Sequence, residues 1–252
     1  MPVSRLDYPP QAAPAALAGK LVMITGASRG LGRAIAVAAA AAGATLLLLA
    51  RDIRALEKLA DEIEAAGGAE PSLVPINFEN ATVDHYADIA SRVDERWGRL
   101  DGLVLNAGLL GELGTIRNHD PLLWARVFQV NVHAHFLLTQ ACLPLLERAP
   151  TASIIMTSSS VGRRGRAYWG AYAASKFALE GLMQTLADEM DGSTRVRVNS
   201  VNPGRCRTKM RAHAYPGEDP ATLPEPATLA PAFVHLLSDV AAAYNGCQFD
   251  LQ

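Results

Sequence analysis

Cysteine is scarce in this sequence. Its 252 residues include three cysteines, Cys142, Cys206 and Cys247, with no Cys-x-x-Cys spacing. An odd number of widely separated cysteines favours reduced thiols over a disulfide framework, so we expect a cytoplasmic protein. Metal-ligand spacing is missing too, because His133 and His135 are two residues apart in a predicted helix and would point in different directions. We therefore expect no metal site.

Excess charge of one sign and long apolar runs are also absent. The 23 basic and 25 acidic residues are spread along the chain and give a formal net charge of −2. With no basic stripe, we expect no nucleic-acid partner and no anionic-membrane partner. The uncharged stretch at 34–50 is mostly alanine, is interrupted by Gly43 and falls short of the ~18 residues of a membrane span, so we expect no membrane insertion.

The N-terminal segment differs in pattern from the rest of the chain. Residues 1–19 carry Arg5, Asp7 and several prolines before any apolar run, which is unlike a secretory signal and predicts a loose N-terminal arm. From residue 20 onward no change in composition marks a second domain, and a chain that is 50% hydrophobic can bury one sizeable core. We predict a single domain over residues 20–252.

Short apolar runs alternate with helical patterns throughout that domain. The predicted strands lie at 21–25, 44–50, 72–76, 102–105, 152–157, 195–201 and 247–250. The predicted helices are one that ends near Gly43 and those at 53–66, 82–97, 121–147, 168–191 and 227–237. This alternation predicts the α/β class, with a Rossmann-type doubly wound parallel sheet in three layers. Ligands of such sheets bind at the carboxyl ends of the strands.

A glycine-rich loop follows the first predicted strand and opens the first helix. Gly26, Gly30 and Gly32 have the spacing G-x-x-x-G-x-G. Glycine lets the backbone approach a ligand closely, and the amides at a helix N-terminus attract an anion. The loop is therefore a candidate pyrophosphate site, although an ordinary glycine-rich turn would look the same in isolation.

Tyr172 and Lys176 are four residues apart in a predicted helix. Such residues lie on one face, about 6 Å apart, so the ammonium can lower the pKa of the phenol from its ordinary value near ~10. This pair suits a general acid or base. Ser159, which lies 13 residues upstream of Tyr172, is positioned to hold a reacting carbonyl.

Together these motifs resemble those of the single-domain short-chain dehydrogenase/reductase family. The motifs that carry the resemblance are the loop at 25–32, Asn106-Ala107-Gly108, Ser159 with Tyr172 and Lys176, and Asn202-Pro203-Gly204 followed by Thr208. Within the family, the run from Ser158 to Tyr172 is similar to that of the YciK-type oxidoreductases.

The resemblance implies an NADP(H)-dependent oxidoreductase that transfers hydride between nicotinamide and a small-molecule carbonyl or alcohol substrate. It implies that Tyr172 gives or takes the proton, Ser159 orients the carbonyl, and Lys176 binds the nicotinamide ribose. Asn131 would hold a water molecule that links the lysine to solvent. A redox-idle NADP(H)-binding sensor or scaffold is the alternative, and the identity of the substrate stays open.

The resemblance also implies a set of cofactor-binding positions at the strand ends. They are Gly26, Ser28, Arg29, Gly30, Leu31, Gly32, Arg51, Asn77, Phe78, Asn106, Ala107, Gly108, Tyr172, Lys176, Pro203, Gly204 and Thr208. Relatives that prefer NAD have an acid where this chain has Ala50, and Arg51 and Arg29 could grip a 2′-phosphate. We therefore predict NADP(H), with pairing of Arg51 to Asp52 as the alternative. Asn77 stands where the family commonly has an aspartate that meets the adenine.

On the substrate side, Arg163, Arg164 and Arg166 form a basic cluster between Ser159 and Tyr172. The cluster indicates either an anionic substrate or a solvated or intersubunit surface. The proline-rich segment at 209–226 resembles a substrate lid. Four residues are candidates for an apolar pocket wall: Leu109, Leu110, Trp169 and Met210.

The helix that contains Tyr172 is apolar around much of its circumference. A helix of this kind needs apolar partners on more than one face. With the family as guide, this predicts a homodimer or homotetramer built on the helices at 168–191 and 121–147, although a thicker monomer core would also satisfy the pattern.

Overall fold

The computed structural model describes the backbone of Val3–Arg5 and all of residues 15–252. Eight parallel strands form one sheet in the order β1-β8-β7-β6-β5-β2-β3-β4. The strands are β1 Val3–Arg5, β2 Leu21–Thr25, β3 Thr45–Ala50, β4 Ser72–Pro75, β5 Gly102–Leu105, β6 Ala152–Thr157, β7 Val196–Asn202 and β8 Gln248–Asp250. The predicted fold class, a Rossmann-type parallel sheet in one domain, is confirmed.

Helices cover both faces of this sheet. They are α1 Gly30–Ala41, α2 Ile53–Ala65, α3 Val83–Trp97, α4 Pro121–Phe128, α5 Ala134–Glu147, α6 Gly170–Met190, α7 Lys209–Ala214 and α8 Pro226–Leu237. Side chains alternate between the faces of a strand, so Val22 and Ile24 of β2 pack against α1, α2 and α8, while Leu21 and Met23 pack against α3, α5 and α6. Every residue of β2 is buried, as expected for the middle of three layers.

The long helix predicted at 121–147 is interrupted. A five-residue π-helical turn, Gln129–His133, separates α4 from α5. Asn131 lies in this turn with no exposed surface. Its side chain binds the backbone of Leu109 in the loop after β5. Single π turns occur mostly inside α-helices at functional sites, and the apolar pattern of the sequence gave no sign of this one.

The predicted loose arm at 1–19 has ordered parts. Val3–Arg5 runs parallel to β8, with Val3 opposite Gln248 and Arg5 opposite Asp250. The edge of β8 offers unpaired backbone groups, and pairing with a further strand satisfies them. Leu17 is fully buried, and its N–H donates to the carbonyl of Ala42 over 2.9 Å. The remainder of the predicted arm, 1–2 and 6–14, lies outside the described residues.

Within 3–5 and 15–252, none of the helices combines the length and the apolar character that crossing a bilayer requires. The same residues contain no group of three or more His, Cys, Asp or Glu side chains that could hold a metal ion.

His135, at the start of α5, is a histidine without exposed surface. Neither ring nitrogen has a hydrogen bond of normal geometry, although the Ala107 backbone lies close to the ring. Burial, together with the nearby charge of Lys176, lowers the pKa of His135 to about 3. The ring is therefore neutral in the folded protein over the ordinary pH range.

This burial predicts a specific acid sensitivity. The ring in the unfolded chain takes up a proton near pH ~6.5, so the free energy of unfolding decreases as pH falls below that value. The decrease from this residue continues down to about pH 3, where the folded ring is protonated too. We expect His135→Leu to remove about 2 kcal/mol of the decrease between neutral pH and pH 5, measured by urea unfolding at both pH values.

The matched control is His213→Gln, because His213 is exposed on α7 and lies outside the core. It should keep the wild-type dependence on pH. If the free energy of unfolding of His135→Leu fell between neutral pH and pH 5 by as much as that of the wild type, His135 would not be the source of this acid sensitivity.

Candidate active site

The glycine-rich turn between β2 and α1 requires glycine for steric reasons. Gly26 and Gly30 have φ angles of +67° and +56°, in the left-handed region that favours glycine. A Cβ on Gly32 would lie 2.3 Å from the carbonyl oxygen of Gly26. The N-cap residue of α1, Arg29, makes no side-chain capping bond. The first amides of α1 are therefore not capped by that side chain, as in helices that bind an anion at the N-terminus.

Thr25 connects this turn to the end of β5. Its hydroxyl accepts hydrogen bonds from the N–H groups of Asn106 and Ala107 over 2.9 and 3.0 Å. It also donates to the carbonyl of Val104, and the Asn106 side chain donates to the carbonyl of Thr25. A Cβ on Gly26 would approach Ala107 Cα to 3.0 Å. The glycine-rich turn and the Asn106-Ala107-Gly108 segment are therefore in direct contact. The sequence analysis did not assign Thr25 a role, although its place before Gly26 could have suggested one.

The end of β7 completes this edge of the sheet. Gly204 has a φ of +72° and its N–H donates to the Asn202 side chain over 3.1 Å. Thr208 caps α7 by accepting from the N–H of Arg211, and its methyl group would lie 3.3 Å from a Cβ on Gly30. Of the predicted residues after β7, Thr208 therefore lies beside the glycine-rich turn.

Tyr172, Lys176 and Glu180 occupy successive turns on one buried face of α6. The Lys176 ammonium donates to the carbonyl of Thr157 over 2.7 Å and lies 5.6 Å from the centroid of the Tyr172 ring. Glu180, which the sequence analysis missed, accepts from Ser200 and Gln248 at one carboxylate oxygen. Its i+4 spacing from Lys176 was a visible signal.

Burial dominates the titration of this face. It lowers the pKa of Lys176 to about 8, and the Glu180 carboxylate opposes that shift. Burial also raises the pKa of Tyr172 to about 12, and a hydrogen bond with Ser159 opposes the rise. The net shift is opposite in direction to the lowering expected from Lys176, because the loss of solvent is its largest cause. The phenol is therefore protonated at neutral pH.

Ser159 is the serine of the 158–160 run that contacts Tyr172. It is half-buried at the end of β6, whereas Ser158 is buried and its hydroxyl has no hydrogen-bond partner among the described residues. Ser159 therefore stays the predicted carbonyl-orienting residue.

The Asn131 side chain is fully engaged. Its carbonyl oxygen accepts from the N–H of Leu109 over 2.7 Å, and its amide donates to the Leu109 carbonyl and to Ser175 Oγ, each over 3.0 Å. Asn131 therefore joins the loop after β5 to α6, two residues beyond the start of the π turn. This bridging role is one that the sequence analysis did not anticipate.

Arg51 has a partner that the sequence did not suggest. Its guanidinium lies 2.8 Å from the Glu79 carboxylate, which also binds Arg126 over 2.7 Å. Asp52 instead caps α2 by accepting from the N–H of Ala55, so the alternative of an Arg51–Asp52 pair is wrong. The Asn77 side-chain oxygen accepts from the N–H of Glu79 over 3.2 Å, and the next residue, Phe78, is buried.

The predicted arginine cluster divides into three different environments. Arg163 is largely buried and binds Asp250 over 2.5 Å, with the Glu180 carboxylate at 3.5 Å, so it is part of the interior. Arg164 is exposed. The guanidinium of Arg166 donates to the hydroxyl of Tyr215 over 2.6 Å.

The predicted lid segment, 209–226, contains α7 and a short 3-10 turn, and Met210 and Ala214 of its first part pack against the cluster that contains Tyr172. A small apolar cluster surrounds the tyrosine: Leu110, Val161, Trp169, Ala173, Met210 and Ala214. Of the four predicted wall residues, Leu109 packs instead against the main core. Tyr168, an exposed residue with φ of +72°, does not belong to the cluster.

Comparison with known proteins follows this geometry. Residues 20–219 match the short chain dehydrogenase family. The chain belongs to this family. This short chain dehydrogenase is 46% identical over 233 residues to the uncharacterized oxidoreductase YciK of Escherichia coli K12, and the match covers 92% of each chain. The resemblance seen in the sequence motifs is thereby confirmed.

Solved structures of similar short chain dehydrogenases agree with the fold. The structure of the oxidoreductase yciK from E. coli has a TM-score of 0.93 at 44% identity, covering 98% of this chain and 100% of that chain. A structure described as a short chain dehydrogenase of E. coli CFT073 complexed with NADPH has a TM-score of 0.92 at 45% identity, covering 97% of this chain and 100% of that chain.

The buried face of α6 gives this short chain dehydrogenase a testable electrostatic property. Because the Glu180 carboxylate raises the pKa of Lys176, we expect Glu180→Gln to lower that pKa below its value of about 8. The ammonium resonance of Lys176, assigned with a Lys176→Met variant, would report the change in a pH titration by NMR. Glu189→Gln, an exposed acid on the same helix, is the matched control. An unchanged Lys176 titration in Glu180→Gln would show that the two groups are not coupled.

Proposed function

We propose that this protein is an NADP(H)-dependent oxidoreductase that transfers hydride between nicotinamide and a carbonyl or alcohol substrate, with Tyr172 as general acid and base. The observation that supports this most strongly is the burial of Tyr172 and Lys176 on one face of α6, beside Ser159. A protonated phenol next to a hydroxyl, in an enclosed and apolar site, suits proton transfer to a developing alkoxide.

The residues at the strand ends fit a dinucleotide. Any side chain at Gly32 would clash with the turn, and the first amides of α1 lack a side-chain cap from Arg29, so the turn can hold a pyrophosphate. The similar E. coli CFT073 protein is complexed with NADPH. We assign adenosine-side contacts to Arg29, Arg51, Asn77 and Phe78. Bound nicotinamide supplies or accepts the hydride.

The other contacts follow from the positions of the remaining predicted residues. Asn106, Ala107 and Gly108 follow β5, while Pro203, Gly204 and Thr208 follow β7, so both groups would border the cofactor. The Lys176 ammonium would hold the ribose and stabilise negative charge on Tyr172 when the phenol gives up its proton. Asn131 would keep Leu109 and Ser175 in place around it.

Two features weigh against the redox-idle alternative. Burying Lys176 and Tyr172 costs free energy. A catalytic role accounts for that cost, whereas a protein that only binds NADP(H) has no need of a buried acid–base pair. All four predicted catalytic positions, Asn131, Ser159, Tyr172 and Lys176, are present at one end of the sheet.

We also propose that the protein is a homodimer or homotetramer. An apolar groove of about 440 Å³ on α5 and α6 is lined by Val132, His133, Phe136, Leu137 and Leu182. Phe136 on α5 and Phe177 on α6 are 44% and 45% exposed. An apolar face of this kind on the two predicted interface helices supports association with a second copy.

Removing the phenol hydroxyl separates chemistry from binding. We expect Tyr172→Phe to lose at least about a hundredfold in turnover, because a general acid of this kind contributes 10²–10⁴-fold. NADPH affinity, measured by tryptophan fluorescence quenching, should stay within about twofold of the wild type. Ser159→Ala should lower turnover less, since it leaves the proton donor in place. Wild-type turnover in Tyr172→Phe would remove Tyr172 from the mechanism.

The choice of cofactor is tested at Arg51. We expect Arg51→Ala to weaken NADPH binding by about tenfold while NADH binding is unchanged, because only NADPH carries the 2′-phosphate. Arg54→Ala, an exposed neighbour on α2, is the control and should bind NADPH normally. Glu79→Gln, which frees Arg51 from its ion pair, should bind NADPH at least as tightly as the wild type. Equal loss of NADPH and NADH affinity in Arg51→Ala would contradict a phosphate contact.

A further inference from the structure

Arg166 lies at the outer end of a row of aromatic rings that leads to Tyr172. The Trp169 ring lies 5.8 Å from the Tyr172 ring and 5.8 Å from the Tyr215 ring, measured between centroids. The Arg166 guanidinium lies 5.7 Å from the Tyr215 ring and binds its hydroxyl. Exposure increases along this row, from the buried Tyr172 to the exposed Arg166. The row therefore runs from the proposed reacting centre to the surface.

The positive charge of Arg166, at this outer end, has no carboxylate partner among the described residues. Arg211, which lies 3.7 Å over the same Tyr215 ring, is neutralised by a two-point ion pair with Glu218. Arg163, the first member of the cluster, is neutralised by Asp250. Arg166, in contrast, has no ion pair in the described part of the chain, and the Tyr215 hydroxyl takes up one of its five N–H donors. Four donors remain available in a fork that suits a carboxylate.

The side chains around the inner end of this row are apolar. Leu110, Val161, Met210 and Ala214 pack with Trp169 around Tyr172. An apolar body can lie along these side chains, while a polar middle section would lose its hydrogen bonds to water without replacement.

From this arrangement we propose that the substrate is an extended carbonyl compound with an apolar body and a terminal anionic group, and that Arg166 is the residue that binds the anion. The proposal rests on the proposed function, because the carbonyl end must reach Tyr172. Arg166 thus determines specificity and takes no part in proton or hydride transfer. Of the two interpretations of the arginine cluster, the anionic substrate applies to Arg166 alone.

The test uses a pair of substrates that differ in one charge, 10-oxodecanoate and its methyl ester, with NADPH as reductant. For the wild type we expect kcat/KM to be about tenfold higher for the acid, the effect of one partly exposed charge-assisted contact. Arg166→Gln should bring this ratio close to one by slowing the acid and leaving the ester unchanged. The preference of the wild type should decrease as salt is added, whereas that of the variant should not.

Two further variants separate a specific contact from general electrostatics. Arg164→Gln removes an exposed charge two residues away and should keep the tenfold preference. Tyr215→Phe keeps the charge of Arg166 but removes the hydroxyl that orients it, so we expect a smaller loss of preference. Equal turnover of acid and ester by the wild type, or an equal effect of Arg164→Gln and Arg166→Gln, would overturn the proposal.

A binding measurement tests the contact between Arg166 and the anionic group without catalysis. In the NADPH complex of Tyr172→Phe, calorimetric titration with 10-oxodecanoate should give about tenfold weaker binding when Arg166→Gln is added. Binding that does not depend on Arg166 would overturn the proposal. If neither aldehyde oxidised NADPH with the wild type while the binding of the acid still depended on Arg166, the anion site would stand and the proposed function would fail.

Discussion

A buried ammonium group, that of Lys176, is the constraint on which the surrounding structure depends. Burying a charge is costly unless hydrogen bonds and opposite charges surround it. Here the Thr157 carbonyl accepts a hydrogen bond from it, and the Glu180 carboxylate lies one helical turn away. Glu180 in turn needs compensation, which Arg163, Ser200 and Gln248 provide. The contacts that surround the Lys176 charge thus connect α6 with β6, β7 and β8.

This network explains why part of the arginine cluster is interior. Arg163 follows Ser159 by four residues and is bound to Asp250 at the end of β8. The loop that carries Ser159, after β6, is therefore attached to β8, which lies on the other side of β7 in the sheet. On the other side, Asn131 attaches the loop after β5 to α6. Tyr172 lies between two loops that are both fixed, which is the preorganisation that proton transfer to a developing charge requires.

Local patterns in the sequence were sufficient for the fold and for placing Tyr172 and Lys176 on one face of a helix. The strands at 21–25, 102–105 and 152–157 were predicted at their observed bounds because a fully buried strand is a short apolar run between turn residues. The Tyr172–Lys176 pair was predictable because its geometry depends on one helix alone.

What the sequence could not show were partners that meet only in the folded chain. Glu79 binds Arg51 from 28 residues away, and Asp250 binds Arg163 from 87 residues away. No local rule chooses between Glu79 and the adjacent Asp52. The partners of Asn131 in the π turn are hidden for the same reason, since Leu109 is 22 residues away and Ser175 is 44 residues away. The raised pKa of Tyr172 likewise reflects enclosure by residues from four separate segments.

A crystal structure of the protein with NADPH would test the account most directly. We expect the nicotinamide ribose within hydrogen-bond distance of Lys176 Nζ, the nicotinamide ring beside Tyr172 and Ser159, and the 2′-phosphate against Arg29 and Arg51. NADPH bound with its ribose away from Lys176, or with its nicotinamide outside the cluster around Tyr172, would contradict the claim that this buried face of α6 is the reacting centre.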